Sequence, residues 1–280
     1  MKILFSKKCL EFWQPGHPES PDRVRMVYEF LNTHKNFNSI EPEPCTEKDI
    51  LLAHSRNLLN QVKNGNFFDS DTPRLPSIFD YAKLSAGSAI QAAKLALEEE
   101  ETFSLMRPPG HHAGRDSLGG FCYFNNIAIA AARILKKAKR VAILDIDCHF
   151  GQGTQEIFFG NEKVLCVSLH QYGIYPGGGK YSDKNCLNYP MNAGTGESEY
   201  LEKLKIAIEK IKKFNPGLLA ISVGFDTYKE DPLTNINLEI KSYSKITKII
   251  NEIEKPKFAV LGGGYSNELH LCVYEFLKNF

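Results

Sequence analysis

The sequence has almost no charge imbalance. Lys and Arg total 34 against 33 Asp and Glu, a formal +1. Such a surface has no global pull toward nucleic acid or an anionic membrane, so neither partner is expected. Nor is any apolar run long enough to span a bilayer. The longest uncharged stretch, Ser117–Ala132, is short and broken by Gly-Gly and Asn-Asn. The stretch from Met1 to Leu10 carries Lys2, Lys7 and Lys8 and lacks the apolar segment of a signal peptide. The seven cysteines (Cys9, Cys45, Cys122, Cys148, Cys166, Cys186 and Cys272) include no CxxC pair. Their number and spacing exclude a zinc ribbon, a thioredoxin-like redox motif and a secreted disulfide framework. Cys148 and Cys166 sit in apolar runs, where Cys behaves as a small buried hydrophobe. Internal repeats and low-complexity linkers are also missing, so no domain boundary is visible. The expectation is one domain over 1–280, soluble in a reducing cytoplasm.

What is present is a chain of 280 residues, 42% hydrophobic, with material for a substantial core. Four continuous apolar runs read as buried parallel strands: Val141–Asp147, Val164–His170, Gly217–Gly224 and Lys257–Leu261. Lys2–Phe5 and Thr102–Met106 are weaker candidates. Helical spacing marks Asp22–His34, with Asp22 as its N-cap, and also Glu47–Lys63, Asp80–Glu99, Asn125–Lys139, Glu197–Phe214 and Leu238–Glu252. Alternating strands and helices predict an α/β fold whose mainly parallel sheet has helices on both faces. Pro and Gly cluster just after strands, at 107–120, 173–179 and 262–264. In open α/β sheets that end of the strands is where ligands bind.

The densest chemistry is Asp145-Ile-Asp147-Cys-His149, at the end of an apolar strand. Strand residues two apart share a face, so Asp145, Asp147 and His149 are expected to project together. Two carboxylates and an imidazole in a buried place need compensation. Salt bridges to Lys or Arg are the bland alternative; a metal site of oxygen and nitrogen ligands is the functional one. A third ligand can come from the next strand end, at Asp226 or Asp231; Asp231 precedes a proline and reads better as a turn residue. His111-His112 follow Arg-Pro-Pro-Gly after a candidate strand, which favours a general base over a lone structural histidine. The glycine runs at 262–264 and 177–179 fail as phosphate loops, because neither has GxGxxG or Walker spacing.

Together RPPGHHAG, GGFCYFNN, DIDCHFGQGTQ, VSLHQYGIYPGGG, GFDTYKEDPL and LGGGY resemble the zinc-dependent histone deacetylase family, which includes acetylpolyamine amidohydrolases. GHPESPDR at 16–23 resembles its N-terminal motif. The resemblance runs in the family's order from Gly16 to Tyr265. It implies the arginase–deacetylase fold, a three-layer αβα sandwich in a single domain, and deacetylation of an acetylated amine: an acetyl-lysine side chain, a small acetylamide or an acetylpolyamine. It implies Zn²⁺, with Fe²⁺ as the substitute, on Asp147, His149 and Asp226. His111 and His112 become the tandem pair, with His112 the base and Asp145 accepting a hydrogen bond from His111. Tyr265 becomes the phenol that binds the substrate carbonyl. The implied substrate channel is Gly120, offering its carbonyl, with Phe121 and Tyr175 as walls, Asp71 at the rim and Leu233 as an apolar lip. An inner K⁺ or Na⁺ site would draw on Asp145, Asp147, His149, Ser168 and Leu169. Two positions depart from the family's pattern. Phe150 stands where a second His is usual, and Gln152 where a carboxylate or Asn often partners the second catalytic His. Rival readings are a two-manganese arginase-type ureohydrolase and a catalytically silent acyl-amine binding module. Tyr228, at the position where a ureohydrolase needs a second Asp, speaks against the first; the complete ligand, His-pair and Tyr set speaks against the second.

Overall fold

A computed structural model describes residues 1–280. Eight strands form one sheet: β1 (Lys2–Leu4), β2 (Asn38–Ile40), β3 (Thr102–Ser104), β4 (Val141–Asp145), β5 (Val164–Gln171), β6 (Cys186–Met191), β7 (Leu218–Val223) and β8 (Lys257–Leu261). Their spatial order is β2-β1-β3-β8-β7-β4-β5-β6, and every pairing is parallel. The helices are α1 (Pro21–Asn32), α2 (Glu47–Ile50), α3 (Arg56–Asn64), α4 (Ile78–Ala96), α5 (Asn126–Ala138), α6 (Gln152–Phe158), α7 (Glu197–Phe214), α8 (Ser242–Ile250) and α9 (Leu269–Leu277).

The strand alternation sorts the core into two halves. Ala142 and Leu144 of β4 pack with α1, α7, α8 and α9, while Val141 and Ile143 pack with α3, α4 and α5. This is the expected three-layer αβα sandwich, and its sheet is parallel throughout. Because both faces are covered, the central strands are apolar at nearly every position, which is why the sequence reveals them.

Several expected boundaries move. Val141–Asp147 stops as a strand at Asp145. Glu47–Lys63 is two helices. The first opens on a Thr46–Asp49 capping box and ends at Ile50, and the second starts at its own cap, Ser55. Those two local caps outweigh a continuous helical pattern. Asp22 is not the N-cap of α1: Ser20 holds that place, Pro21 opens the helix, and Asp22 sits in the first turn. Strands β2 and β6, which the apolar pattern did not mark, are the two sheet edges. An edge strand pairs on one side only and tolerates polar residues and Pro190. Helices α6 and α9 also went unmarked. No helix is long and apolar enough to cross a membrane, and all seven cysteines are free and buried.

Candidate active site

With every strand parallel, the loops after β3, β4, β7 and β8 meet at one end of the sheet. There the ligand atoms of Asp147, His149 and Asp226 lie within 4.8 Å of one another. His149 Nδ1 is 2.8 Å from Asp226 Oδ2 and 3.2 Å from Asp147 Oδ1. The strand-alternation argument is not what brings them together, because the chain has left β4 by Ile146. A turn does it: Asp147 N–H donates to Asp145 Oδ1 and His149 N–H to Asp147 Oδ1. Cys148 N–H donates to Asp226 Oδ1, and Gly263 N–H to Asp147 Oδ2 at 2.6 Å. The glycines after β7 and β8 are what let the carboxylates in. A Cβ on Gly224 would lie 2.3 Å from Asp147 Oδ2, and one on Gly263 2.5 Å from Asp226 Oδ2.

The two carboxylates of this cluster draw positive charge to themselves. Burial and the neighbouring Asp147 push Asp226 up to about 7. Burial also works against a charged His149, but its hydrogen bonds to Asp147 and Asp226 outweigh it and carry the ring up to about 10. Two carboxylates and an imidazole at such range form a donor set suited to one divalent transition ion. Asp231, the sequence's other candidate, is not in this cluster. It is the turn residue expected, its Oδ1 accepting the Leu233 N–H two residues on (3.0 Å), and it is also buried and accepts the Tyr265 N–H (2.7 Å).

The tandem histidines face the cluster with their rings 3.9 Å apart. His111 Nδ1 lies 2.9 Å from Asp145 Oδ2. Burial opposes protonation of His111, but Asp145 and Asp147 prevail and raise it to about 9. His112 goes the other way. Burial and the adjacent His111 hold it well below its ordinary value, and its partner is the neutral Gln152. The network also sets the tautomer. Gln152 Nε2 donates to His112 O (3.2 Å), so Gln152 Oε1 is left to accept from His112 Nδ1–H at 2.7 Å. Nε2 of His112 is then the unprotonated nitrogen.

A cavity of about 210 Å³ opens over these groups, lined by His111, His112, Asp147, His149 and Tyr265, and by Gly120, Phe121, Tyr175, Asp71 and Leu233. Gly120 and Phe121 both take positive φ, at 57° and 67°. A Cβ on Gly120 would sit 2.3 Å from the His112 ring, so the close approach requires glycine. Thr72, unnoticed in the sequence, is buried and accepts the Phe121 N–H at 3.0 Å. Asp71 Oδ1 accepts the Gly120 N–H at 3.2 Å, so one rim oxygen is already engaged within the chain. Burial and Asp69 beside it raise the Asp71 carboxyl. Away from the cavity, Ser168 pairs with Asp145 in the sheet register. Its hydroxyl meets His170 Nδ1 at 2.9 Å, and Leu169 follows on β5.

Tyr265 is held by residues that sequence reasoning missed. The Arg23 guanidinium lies 4.5 Å from the centre of its ring. Arg23 also donates to Gly264 O (2.6 Å), Gly262 O (2.8 Å) and Glu19 Oε1 (3.0 Å). Glu19 in turn receives Arg107, whose Nε and Nη2 each donate at 2.6 Å. All three charged residues are buried. Their signal was available: Glu19 and Arg23 lie in GHPESPDR and Arg107 opens RPPGHHAG. What no spacing reveals is that these segments meet. Burial lifts the Tyr265 phenol well above its ordinary value against the pull of Arg23, so it stays an O–H donor.

A family model described as the histone deacetylase domain matches residues 17–279. A probable deacetylase of Archaeoglobus fulgidus is 37% identical over 95% of this chain and 81% of its own. An acetylpolyamine amidohydrolase of Burkholderia pseudomallei is 37% identical over 81% of this chain and 67% of its own. The crystal structure of the HDA15 HD domain superposes with a TM-score of 0.92 at 30% identity, covering 99% of this chain and 90% of that one.

Proposed function

The chain belongs to the histone deacetylase domain family, and from that premise we propose that it hydrolyses the acetyl amide of an acetyl-lysine side chain or a small acetylamide. The observation that carries the reading is the convergence, on one cavity, of the Asp147–His149–Asp226 cluster, a neutral His112 and the Tyr265 hydroxyl. Asp147, His149 and Asp226 would hold one Zn²⁺, or Fe²⁺ in its place. When bound, such an ion polarises an amide carbonyl and acidifies water.

The remaining chemistry belongs to the side chains. His112 Nε2 takes the proton of the attacking water, since Nδ1–H is committed to Gln152. Tyr265 donates its O–H to the carbonyl oxygen as negative charge develops there. His111 is kept in orientation by Asp145. A protonated histidine then returns a proton to the leaving amine. Phe121 and Tyr175 confine the aliphatic stem, and Gly120 offers its carbonyl to the scissile N–H. Asp145, Asp147, His149, Ser168 and Leu169 would hold a structural K⁺ or Na⁺. The whole of 1–280 acts as one catalytic domain, in the cytoplasm.

A second reading, acetylpolyamine hydrolysis, has its own support in the Asp69–Asp71 pair and in the Burkholderia relative. A distal ammonium needs a carboxylate to compensate it. We favour acetyl-lysine because Asp231-Pro232 is followed by the apolar Leu233, 39% exposed at the mouth, where a polyamine-selective site calls for an acid. The test compares kcat/KM for an acetyl-lysine peptide and acetylspermidine, in wild type and in Leu233→Glu. The peptide is expected to be preferred by wild type, and the substitution to shift the ratio toward acetylspermidine. A wild-type preference for acetylspermidine of about tenfold, roughly 1.4 kcal/mol of transition-state binding, overturns the choice.

A further inference from the structure

The two histidines sit on a loop whose backbone is fixed from outside by Asn125. This residue is fully buried. Its Nδ2 donates to Ala113 O (3.0 Å) and Thr154 Oγ1 (3.0 Å) and lies 3.4 Å from His111 O. The carbonyls on either side of His112 therefore converge on one amide group. At its other end, Asn125 Oδ1 accepts the Ala128 N–H at 3.1 Å and caps α5. Its own backbone N–H donates to His54 Nε2 at 2.8 Å, and His54 Nδ1–H donates to Gly114 O at 2.7 Å. His54 thus ties Asn125 back to the same loop, two residues beyond His112.

Capping alone does not explain asparagine here, because Asp and Ser cap as well as Asn does. The carbonyls need a donor, and the helix needs an acceptor. A hydroxyl has a single donor hydrogen; among short side chains only a carboxamide supplies two N–H donors and a separate acceptor oxygen, and Asn125 uses all three, on Ala113 O, Thr154 Oγ1 and the Ala128 N–H. His111 O also meets the Thr154 N–H (3.2 Å) and Oγ1 (3.5 Å) from α6, whereas the side-chain donor to Ala113 O is Asn125. We infer that Asn125 is a positioning residue for the base: its amide sets the His111–Ala113 backbone so that the His112 ring stays on Gln152, and His54 locks Asn125 in turn. The inference rests on the reading of His112 as the base. It also accounts for α5 beginning immediately at this point, since the helix cap and the histidine loop share one side chain.

The test uses the metal-loaded enzyme in Asn125→Asp, which keeps size and cap and loses the donor, and in His54→Leu and His54→Gln. Turnover of an acetyl-lysine peptide is measured with metal content, and histidine ring signals are read by ¹⁵N NMR. Asn125→Asp is expected to keep its metal and a KM within about twofold, and to lose about tenfold or more in kcat. The His112 Nδ1–H signal should move with it. His54→Leu should lose kcat in the same way, and His54→Gln, which can both donate and accept, should recover it. A kcat within about twofold of wild type in Asn125→Asp, or an unmoved His112 signal, overturns the inference. If Asn125→Asp does not fold, the two His54 variants decide: equal kcat in Leu and Gln variants overturns it. If the wild type hydrolyses neither peptide nor acetylpolyamine, the functional reading fails while the ring signals still test this one.

Discussion

Arg23 lays its guanidinium over the ring of Tyr265, 4.5 Å from the centroid, and ties down the glycine carbonyls on either side of Gly263. A cation on the ring face and a buried Asp231 on the Tyr265 N–H hold the phenol from two sides. Removing Arg23 withdraws the ring contact and both carbonyl bonds at once, while Glu19 keeps Arg107. Arg23→Ala should therefore cost about tenfold or more in turnover and about 3 kcal/mol in stability, with metal content unchanged. Arg23→Lys keeps the charge but not the fork, and should fall between. Denaturant melts and kinetics check both; a wild-type kcat in Arg23→Ala would show that the loop holds itself.

On the proposed mechanism, Tyr265→Phe deletes the hydroxyl that would act on developing charge. Turnover should drop about 100-fold while metal binding is untouched. His112→Ala should be at least as damaging. Near-normal turnover in His112→Ala would move the base to another group.

The proposed role of Asp147, His149 and Asp226 as metal ligands predicts stoichiometry. Asp147→Ala or Asp226→Ala should lose the ion, and elemental analysis of the wild type should give one transition metal per chain. At the position two after Asp226, Tyr228 turns its hydroxyl to Glu268, so no second carboxylate is offered there. Two tightly held Mn²⁺ per chain with urea released from a guanidino substrate would instead establish the ureohydrolase reading.

With His112 as the proposed base, Gln152 is expected to set the pH range. His112 is now held low by burial and by His111, with an uncharged amide as partner. Gln152→Glu keeps an acceptor for the His112 Nδ1–H, loses the donor to His112 O, and adds a negative charge, which favours the imidazolium and raises the His112 pKa. The base is then protonated up to a higher pH. The acidic limb of kcat/KM should move upward by about one to two pH units, with little change on the alkaline side. An unmoved limb would mean that this limb belongs to a different group.

Much of the site was legible because its parts fall in short contiguous strings. Asp145 ends β4 and Asp147 and His149 follow in the next turn, while Gly120, Phe121, Tyr175 and Tyr265 stand in loops rich in Gly and Pro. The central strands announced themselves for a simple reason: a strand covered on both faces has little room for polar residues. The edge strands β2 and β6 have one free side, and so carried no such mark.

The sequence by itself determined the residue types available to the site, the layer architecture and the family. Those follow from local pattern and from motif order. Only the tertiary structure decided which distant segments press on one another. Asp231 is the turn residue its sequence suggests, and the loop after β8 brings the Tyr265 N–H to its second carboxylate oxygen. Glu19, Arg23 and Arg107 become a buried charge network because burial leaves each without water and the fold supplies its counter-ion. Asn125 read as the start of a helix, and packing made it the common partner of the carbonyls flanking His112. A hydrogen bond depends on distance and angle between atoms, and residues 12 or more apart in the chain acquire those only when the layers close around the sheet.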